Sequence, residues 1–193
     1  MKTDIILAGV GGQGILSIAA AIGEAALENN LYLKQSETHG MSQRGGAVVS
    51  HLRISDQPIA SDLIPMGKAD LILSVEPMEA LRYLPYLKTD GFIVTNITPF
   101  INVGNYPEDE VLFNKLKSMS HVVLIDADRI AKEMGNARAS NMVMLGAACP
   151  FIHVDFEKIV NGVKQIFNRK GEAVVEMNLK ALEAGREFSL NNK

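Results

Sequence analysis

A glycine-rich joint near the N-terminus constrains this chain most. Residues 4–8, Asp-Ile-Ile-Leu-Ala, have the length and apolarity of a short strand. Gly9-Val10-Gly11-Gly12-Gln13-Gly14 follows directly. A helix then opens near Ile15, with Ile18, Ala19, Ile22 and Ala26 recurring on one face. Strand, glycine turn and helix bring backbone N–H groups up to an anion at the positive end of a helix dipole. A chain that starts this way is expected to be an α/β protein with a nucleotide-like ligand, a packing contact or a partner at that turn.

The rest of the sequence repeats the alternation. Residues 5–8, 71–75, 92–94 and 122–125 are continuously apolar runs of strand length, as strands covered on both faces require. Residues 31–35 make a fifth candidate. Residues 47–54 differ, because Val48, Ser50, Leu52 and Ile54 would face one side and Val49, His51 and Arg53 the other. That half-polar pattern suits an edge or antiparallel strand. Helical stripes occupy residues 156–167, with Asp155 placed as N-cap, and residues 172–188 beyond Gly171. Residues 141–148 read as a helix of small residues able to pack closely. The expected fold is a Rossmann-like three-layer α/β sandwich with a mainly parallel sheet. Its 193 residues suit a single domain over 1–193. In such sheets ligands bind at the carboxyl ends of the strands, near the switch point, where the first glycine turn lies.

Charge and cysteine usage narrow the function. A net charge of −3 argues against a nucleic-acid binder. No apolar run approaches the ~20 residues of a membrane span. The first residues carry no secretory pattern, so a cytoplasmic location is expected. The one cysteine, Cys149, lies in an apolar stretch before Pro150 and reads as a small buried hydrophobe. It can form no internal disulfide, and an Fe–S cluster takes about four cysteines. No His, Cys or Asp cluster has metal-ligand spacing, and no nucleophile elbow is visible.

Gly9, Gly11 and Gly14 fit the dinucleotide fingerprint, with Gly12 as an extra glycine. Glu37 stands where the acidic ribose ligand of that fingerprint would be, so an NAD(P) reading is allowed. The alternatives are a turn that lets the first helix pack closely, or a site for another anion or a partner. Gln13 favours the last, since a packing turn has no obvious need for an amide at the helix mouth. A second unusual stretch, residues 37–46, gathers Glu37, His39, Gln43 and Arg44 among Gly40, Gly45 and Gly46. As a loop after the second strand it would face the same edge as the glycine turn, so that the two flank one crevice. Arg44 is a candidate phosphate or carboxylate fork, or a partner of Glu37 or of loop carbonyls. His39 is a candidate acid/base or a hydrogen-bonded surface residue.

Together these stretches resemble the gamma-type subunits and domains of the 2-oxoacid:ferredoxin oxidoreductases, within them the indolepyruvate-type small (beta) subunits. The family opens with a strand and a G-x-G-G-Q-G turn, here Gly9 to Gly14. It has a second loop ending in R-G-G before a strand, here Arg44, Gly45 and Gly46. Gly40-Met41-Ser42-Gln43-Arg44-Gly45-Gly46 has the indolepyruvate-like form, and Asn141-Met-Val-Met-Leu-Gly resembles the family's asparagine-to-Leu-Gly helix. The resemblance implies oxidative decarboxylation of aryl 2-oxoacids to aryl-acetyl-CoA, with ferredoxin as electron acceptor. It implies that thiamine diphosphate and Fe–S clusters reside in a large alpha subunit, since this chain lacks the G-D-G…N pattern of the thiamine site. It makes Gly9, Gly11, Gly12, Gln13, Gly14, Gln43, Arg44, Gly45 and Gly46 the candidate contacts for CoA, a shared co-substrate, or for the partner. No catalytic residue is assigned to this chain. When isolated it is expected to be inactive and able to self-associate through its exposed apolar surface. A stand-alone NAD(P) oxidoreductase and a non-catalytic assembly subunit are the rival readings.

Overall fold

The central strand β1 (Lys2–Val10) is buried from Thr3 to Val10 because helices cover both of its faces. Ile5 and Leu7 point into one apolar cluster, Ile6 and Ala8 into the other, so the run cannot alternate with polar residues. The computed structural model describes residues 1–40, 45–101 and 103–192. After β1 come α1 (Ile15–Glu28), β2 (Tyr32–His39) and β3 (Ala47–Ser55). β4 (Ala69–Ser74), α2 (Pro77–Arg82), β5 (Leu87–Asn96), α3 (Asp109–Lys117) and β6 (Val122–Ile125) follow. After β6 come α4 (Ala127–Glu133), α5 (Ser140–Ala148), α6 (Phe156–Phe167) and α7 (Glu172–Asn191).

The six strands lie in the order β2-β3-β1-β4-β5-β6. β1–β4, β4–β5 and β5–β6 are parallel, whereas β1–β3 and β2–β3 are antiparallel. Helices α1, α4, α5, α6 and α7 pack on one face, α2 and α3 on the other. This is the three-layer α/β sandwich expected from the sequence. Among the described residues no helix is long and apolar enough to cross a membrane.

Residues 47–54 are antiparallel, but they are not an edge. β3 lies inside the sheet, paired with β2 on one side and β1 on the other. Its buried polar side chains find partners within the fold. The Arg53 guanidinium grips Asp4 with Nε at 2.8 Å and Nη2 at 3.1 Å, and its Nη1 donates to the Ser61 and Leu63 carbonyls, each at 2.9 Å. His51 Nδ1 accepts from the Ile64 N–H at 3.1 Å. Buried polar groups persist where they are fully partnered.

The α-helices follow their small residues. A Cβ on Gly162 of α6 would come 2.3 Å from the Ala21 carbonyl oxygen of α1, so only glycine permits that approach. Asp155 occupies the N-cap of α6 as expected, without a side-chain capping bond. Cys149 is buried, its thiol directed at the Leu145 carbonyl oxygen at 3.2 Å, and burial pushes it up to about 12. A thiol held neutral in this way is inert packing.

Candidate functional site

β1 runs through Gly9 and Val10, which pair with Val48 and Ala47, so the turn proper spans Gly11 to Gly14. Gly9 is glycine because β4 leads straight past it. A Cβ there would meet Val75 Cγ2 at 2.3 Å. Gly14, the residue before α1, has φ +80, a left-handed conformation that other residues adopt only with strain. A Cβ on it would also lie 2.5 Å from Asn141 Nδ2, which donates to the Gly14 carbonyl at 3.2 Å. The N–H groups of Gly12 and Gly14 have no acceptor among the described residues. Those of Ile15 and Leu16, which open α1, likewise have no acceptor among the described residues, whereas the Ser17 N–H donates to the Gly14 carbonyl at 3.1 Å.

Gln13 has a structural use that the sequence did not reveal. Its Oε1 accepts from the Val10 N–H at 2.8 Å, and its Nε2 donates to the Val75 carbonyl at 3.4 Å. The amide thus ties the end of β1 to the end of β4, and a packing turn does have a need for it. Its side chain still borders the cleft described below.

The second stretch divides between strand and turn. Glu37, Thr38 and His39 belong to β2 rather than to a loop. Gln43 and Arg44 lie outside the described residues. Gly45 and Gly46 are hydrogen-bonded to the glycine turn, with Gly11 N–H donating to Gly46 C=O at 2.8 Å and Gly45 N–H to Gly11 C=O at 3.3 Å. A crevice of about 620 Å³ opens there, lined by Val10, Gly12, Ile15, His39 and Gly40 among others. Glu37 contacts His39 Nε2 and accepts from Gln35 Nε2 at 3.4 Å. β3 separates β2 from β1, so Glu37 stands two strands, roughly 10 Å, from the turn. In a dinucleotide fold the acidic residue ends the strand next to β1. That displacement weighs against the NAD(P) reading.

A larger cleft, about 690 Å³, lies at the carboxyl ends of β1, β4 and β5. This is the switch point, where the chain leaves β1 for one half of the sheet and returns to β4 in the other. Gly12, Gln13 and Gly14 form one wall, and Thr98, Pro99 and Phe100 another. Lys132 from α4 and Arg138 from the joint before α5 supply exposed cations. Neither side chain has a hydrogen bond or ion pair among the described residues. Asp128 is the one carboxylate lining the cleft among the described residues, and it accepts from Asn96 Nδ2 at 2.8 Å. Two unpaired cations beside a helix start suit a phosphate-bearing ligand.

Sequence reasoning missed Lys132, Arg138 and the Thr98–Phe100 wall. The available signal was slight: a basic residue in the polar joint Gly135-Asn136-Ala137-Arg138 ahead of a small-residue helix. It also passed over Glu76, which is fully buried just beyond β4. Its Oε2 accepts from the Glu79 N–H at 2.8 Å, and its Oε1 accepts from the Phe100 N–H at 3.2 Å and from the Tyr106 hydroxyl.

Glu79, one turn further on, has Oε1 buried with no partner among the described residues. Burial raises its carboxyl above the ordinary 4.5, with Arg82 opposing the shift. Because the folded value is the higher, its contribution to stability is full below 4.5 and is lost as pH rises through the folded value. Glu79→Gln removes this titration. Between about pH 4.5 and 7 its unfolding free energy, measured by urea titration, should therefore fall less than that of the parent chain.

Comparison with known proteins agrees with this architecture. Residues 4–188 match the family described as pyruvate ferredoxin/flavodoxin oxidoreductase. The chain is 35% identical to indolepyruvate oxidoreductase subunit IorB of Archaeoglobus fulgidus, over 100% of this chain and 98% of that one. It is likewise 35% identical to the IorB subunit of Pyrococcus horikoshii, over 94% and 93%. In structure it resembles the keto/oxoacid ferredoxin oxidoreductase gamma subunit of Geobacter sulfurreducens, with TM-score 0.73, 26% identity and coverage of 98% and 99%. It also shares its fold with 2-oxoglutarate:ferredoxin oxidoreductase of Magnetococcus marinus, solved with 2-oxoglutarate, coenzyme A and succinyl-CoA bound. The TM-score there is 0.78 at 23% identity, and this chain covers 31% of that longer one. From the glycine turn through the last helix, the chain belongs to the pyruvate ferredoxin/flavodoxin oxidoreductase family.

Proposed function

We propose that this chain is the small subunit of a complex that oxidatively decarboxylates aryl 2-oxoacids of the indolepyruvate type. The acyl group is transferred to CoA and the two electrons pass to ferredoxin. What supports the reading is end-to-end similarity to IorB subunits, joined to a switch-point cleft whose two cations have no partner among the described residues. The cleft offers the CoA phosphates Lys132, Arg138 and the N–H groups of Gly12 and Gly14, which have no acceptor among the described residues. Gln43 and Arg44 are further candidates for that contact, beside Gly45 and Gly46. Fe–S clusters do not fit this chain, whose single cysteine is buried against Leu145. They and thiamine diphosphate belong to a large partner subunit, where thiamine diphosphate supplies the carbanion chemistry when bound. This chain closes the cleft and orients CoA.

The test is reconstitution. The chain and its large partner, mixed, should reduce a viologen dye in a 2-oxoacid- and CoA-dependent reaction, with kcat/KM higher for indolepyruvate than for pyruvate or 2-oxoglutarate. Neither subunit alone should do so. Full activity of the large subunit by itself would remove the requirement for this chain, and a preference for pyruvate would remove the aryl assignment.

A further inference from the structure

The two walls of the cleft are both fastened to one dipeptide, Val75-Glu76. Val75 belongs to the first wall, since its N–H donates to the Ala8 carbonyl at 3.0 Å and its carbonyl accepts from Gln13 Nε2 at 3.4 Å. Glu76 belongs to the second. Its buried carboxylate takes the Phe100 N–H and the Tyr106 hydroxyl, two points on the connection from β5 to α3. Burial, and after it the hydrogen bond to Glu76, push the Tyr106 phenol up, so it stays a donor. Phe100 in turn reaches across the mouth. Its ring edge would lie 3.9 Å from a Cβ on Gly45, beside the second glycine stretch.

A carboxylate taken wholly out of water is tolerated when charge-assisted hydrogen bonds satisfy it. Among the described residues three donors do so: one in its own helix start and two on the connection from β5 to α3 that carries the far wall. A helix cap alone needs only the first, and serine or asparagine would serve for that. The two remaining bonds anchor Phe100, which lines the cleft opposite Gly12 and Gly14, and Tyr106 to the residue that follows Val75.

We infer that Glu76 is a positioning residue: through Phe100 and Tyr106 it sets the far wall of the cleft in register with the glycine turn, and so sets the cleft's affinity for its ligand. It touches no ligand itself. The ligand arm of this inference rests on the CoA reading above, and the exchange arm does not.

Two variants of the full chain test it. Tyr106→Phe removes one donor and keeps the ring. Glu76→Gln turns one acceptor oxygen into a donor that must face an N–H or an O–H. Each should speed hydrogen exchange at the Phe100 amide about tenfold, while amides of β4 and β5 keep their rates. Unchanged Phe100 exchange in both variants overturns the inference. In the reconstituted complex Tyr106→Phe should raise KM for CoA severalfold, with kcat moving less. A purely structural role would instead lower the active fraction, seen as reduced kcat at constant KM, and that result also overturns it. If the parent complex shows no CoA-dependent activity, the functional reading fails, and the exchange rates alone decide the role of Glu76.

Discussion

Gly146→Ala is expected to cost about 3 kcal/mol and to lower the melting temperature by roughly 6–12 °C. The reason is a reciprocal contact between α5 and α7. A Cβ on Gly146 would lie 1.9 Å from the Leu182 carbonyl oxygen and 2.9 Å from the Arg186 nitrogen. A Cβ on Gly185 would lie 1.9 Å from the Val143 carbonyl oxygen and 2.9 Å from the Ala147 nitrogen. Each helix rests its backbone on the other's glycine, and backbone cannot rotate aside as a side chain can. α5 is buried along its length, with Met142, Val143, Leu145, Ala147 and Ala148 all in the core, so it cannot simply slide outward. Gly185→Ala should cost a similar amount. The double variant should cost less than the sum, because helices already parted by one methyl accept the second more easily. Calorimetry on the three variants measures this, and full additivity would show that the two contacts are independent. The consequence reaches the cleft, since Asn141 at the start of α5 holds the Gly14 carbonyl.

The sequence revealed those parts of the fold that depend on local pattern. The glycine turn, the stripe at residues 156–167 and the buried strands each carry a period or a composition that one segment shows alone. The pattern of residues 47–54 suits an edge or antiparallel strand because Arg53 and His51 resemble solvent-facing residues. Their partners, Asp4 and the Ile64 N–H, lie 49 and 13 positions away, so the pattern could not reveal them. Gln13 shows the same limit at the site. Its residue type suggested outward contact, whereas its second partner is the Val75 carbonyl, 62 positions on. The cleft itself was half legible. One wall is the motif at Gly11–Gly14. The cations come from α4 and from the joint ahead of α5, which only the crossover of the sheet carries back to that motif. The bond from Asn141 to Gly14 spans 127 positions. Apart from the polar joint that carries Arg138, nothing local to Lys132, Arg138 or Glu76 distinguishes them from a solvated surface or a helix cap.

Reversing the charge at Arg138 is the change expected to act most strongly on function. In the reconstituted complex Arg138→Glu should raise KM for CoA by tenfold or more, since a charge-assisted bond to a phosphate contributes about 1.5–3 kcal/mol and the new carboxylate repels it. Arg138 is exposed and bonds to nothing through its side chain among the described residues. Its loss should therefore leave the melting temperature of the chain within about 2 °C. Lys132→Ala should act in the same direction but less, because an ammonium makes a point contact where a guanidinium makes a fork. Raising the ionic strength should weaken CoA binding in the parent complex and do so less in Arg138→Glu. The pattern separates the readings of the cleft. A subunit that only assembles the complex would show weakened association and an unchanged KM for CoA. A dinucleotide protein would bind NAD(P) as the isolated chain, and Arg138→Glu would alter that binding without any partner present. The CoA reading requires the KM effect, its salt dependence and an unaltered melting temperature together, because it places at the mouth of the cleft a cation that, among the described residues, has no partner, beside the N–H groups of the glycine turn.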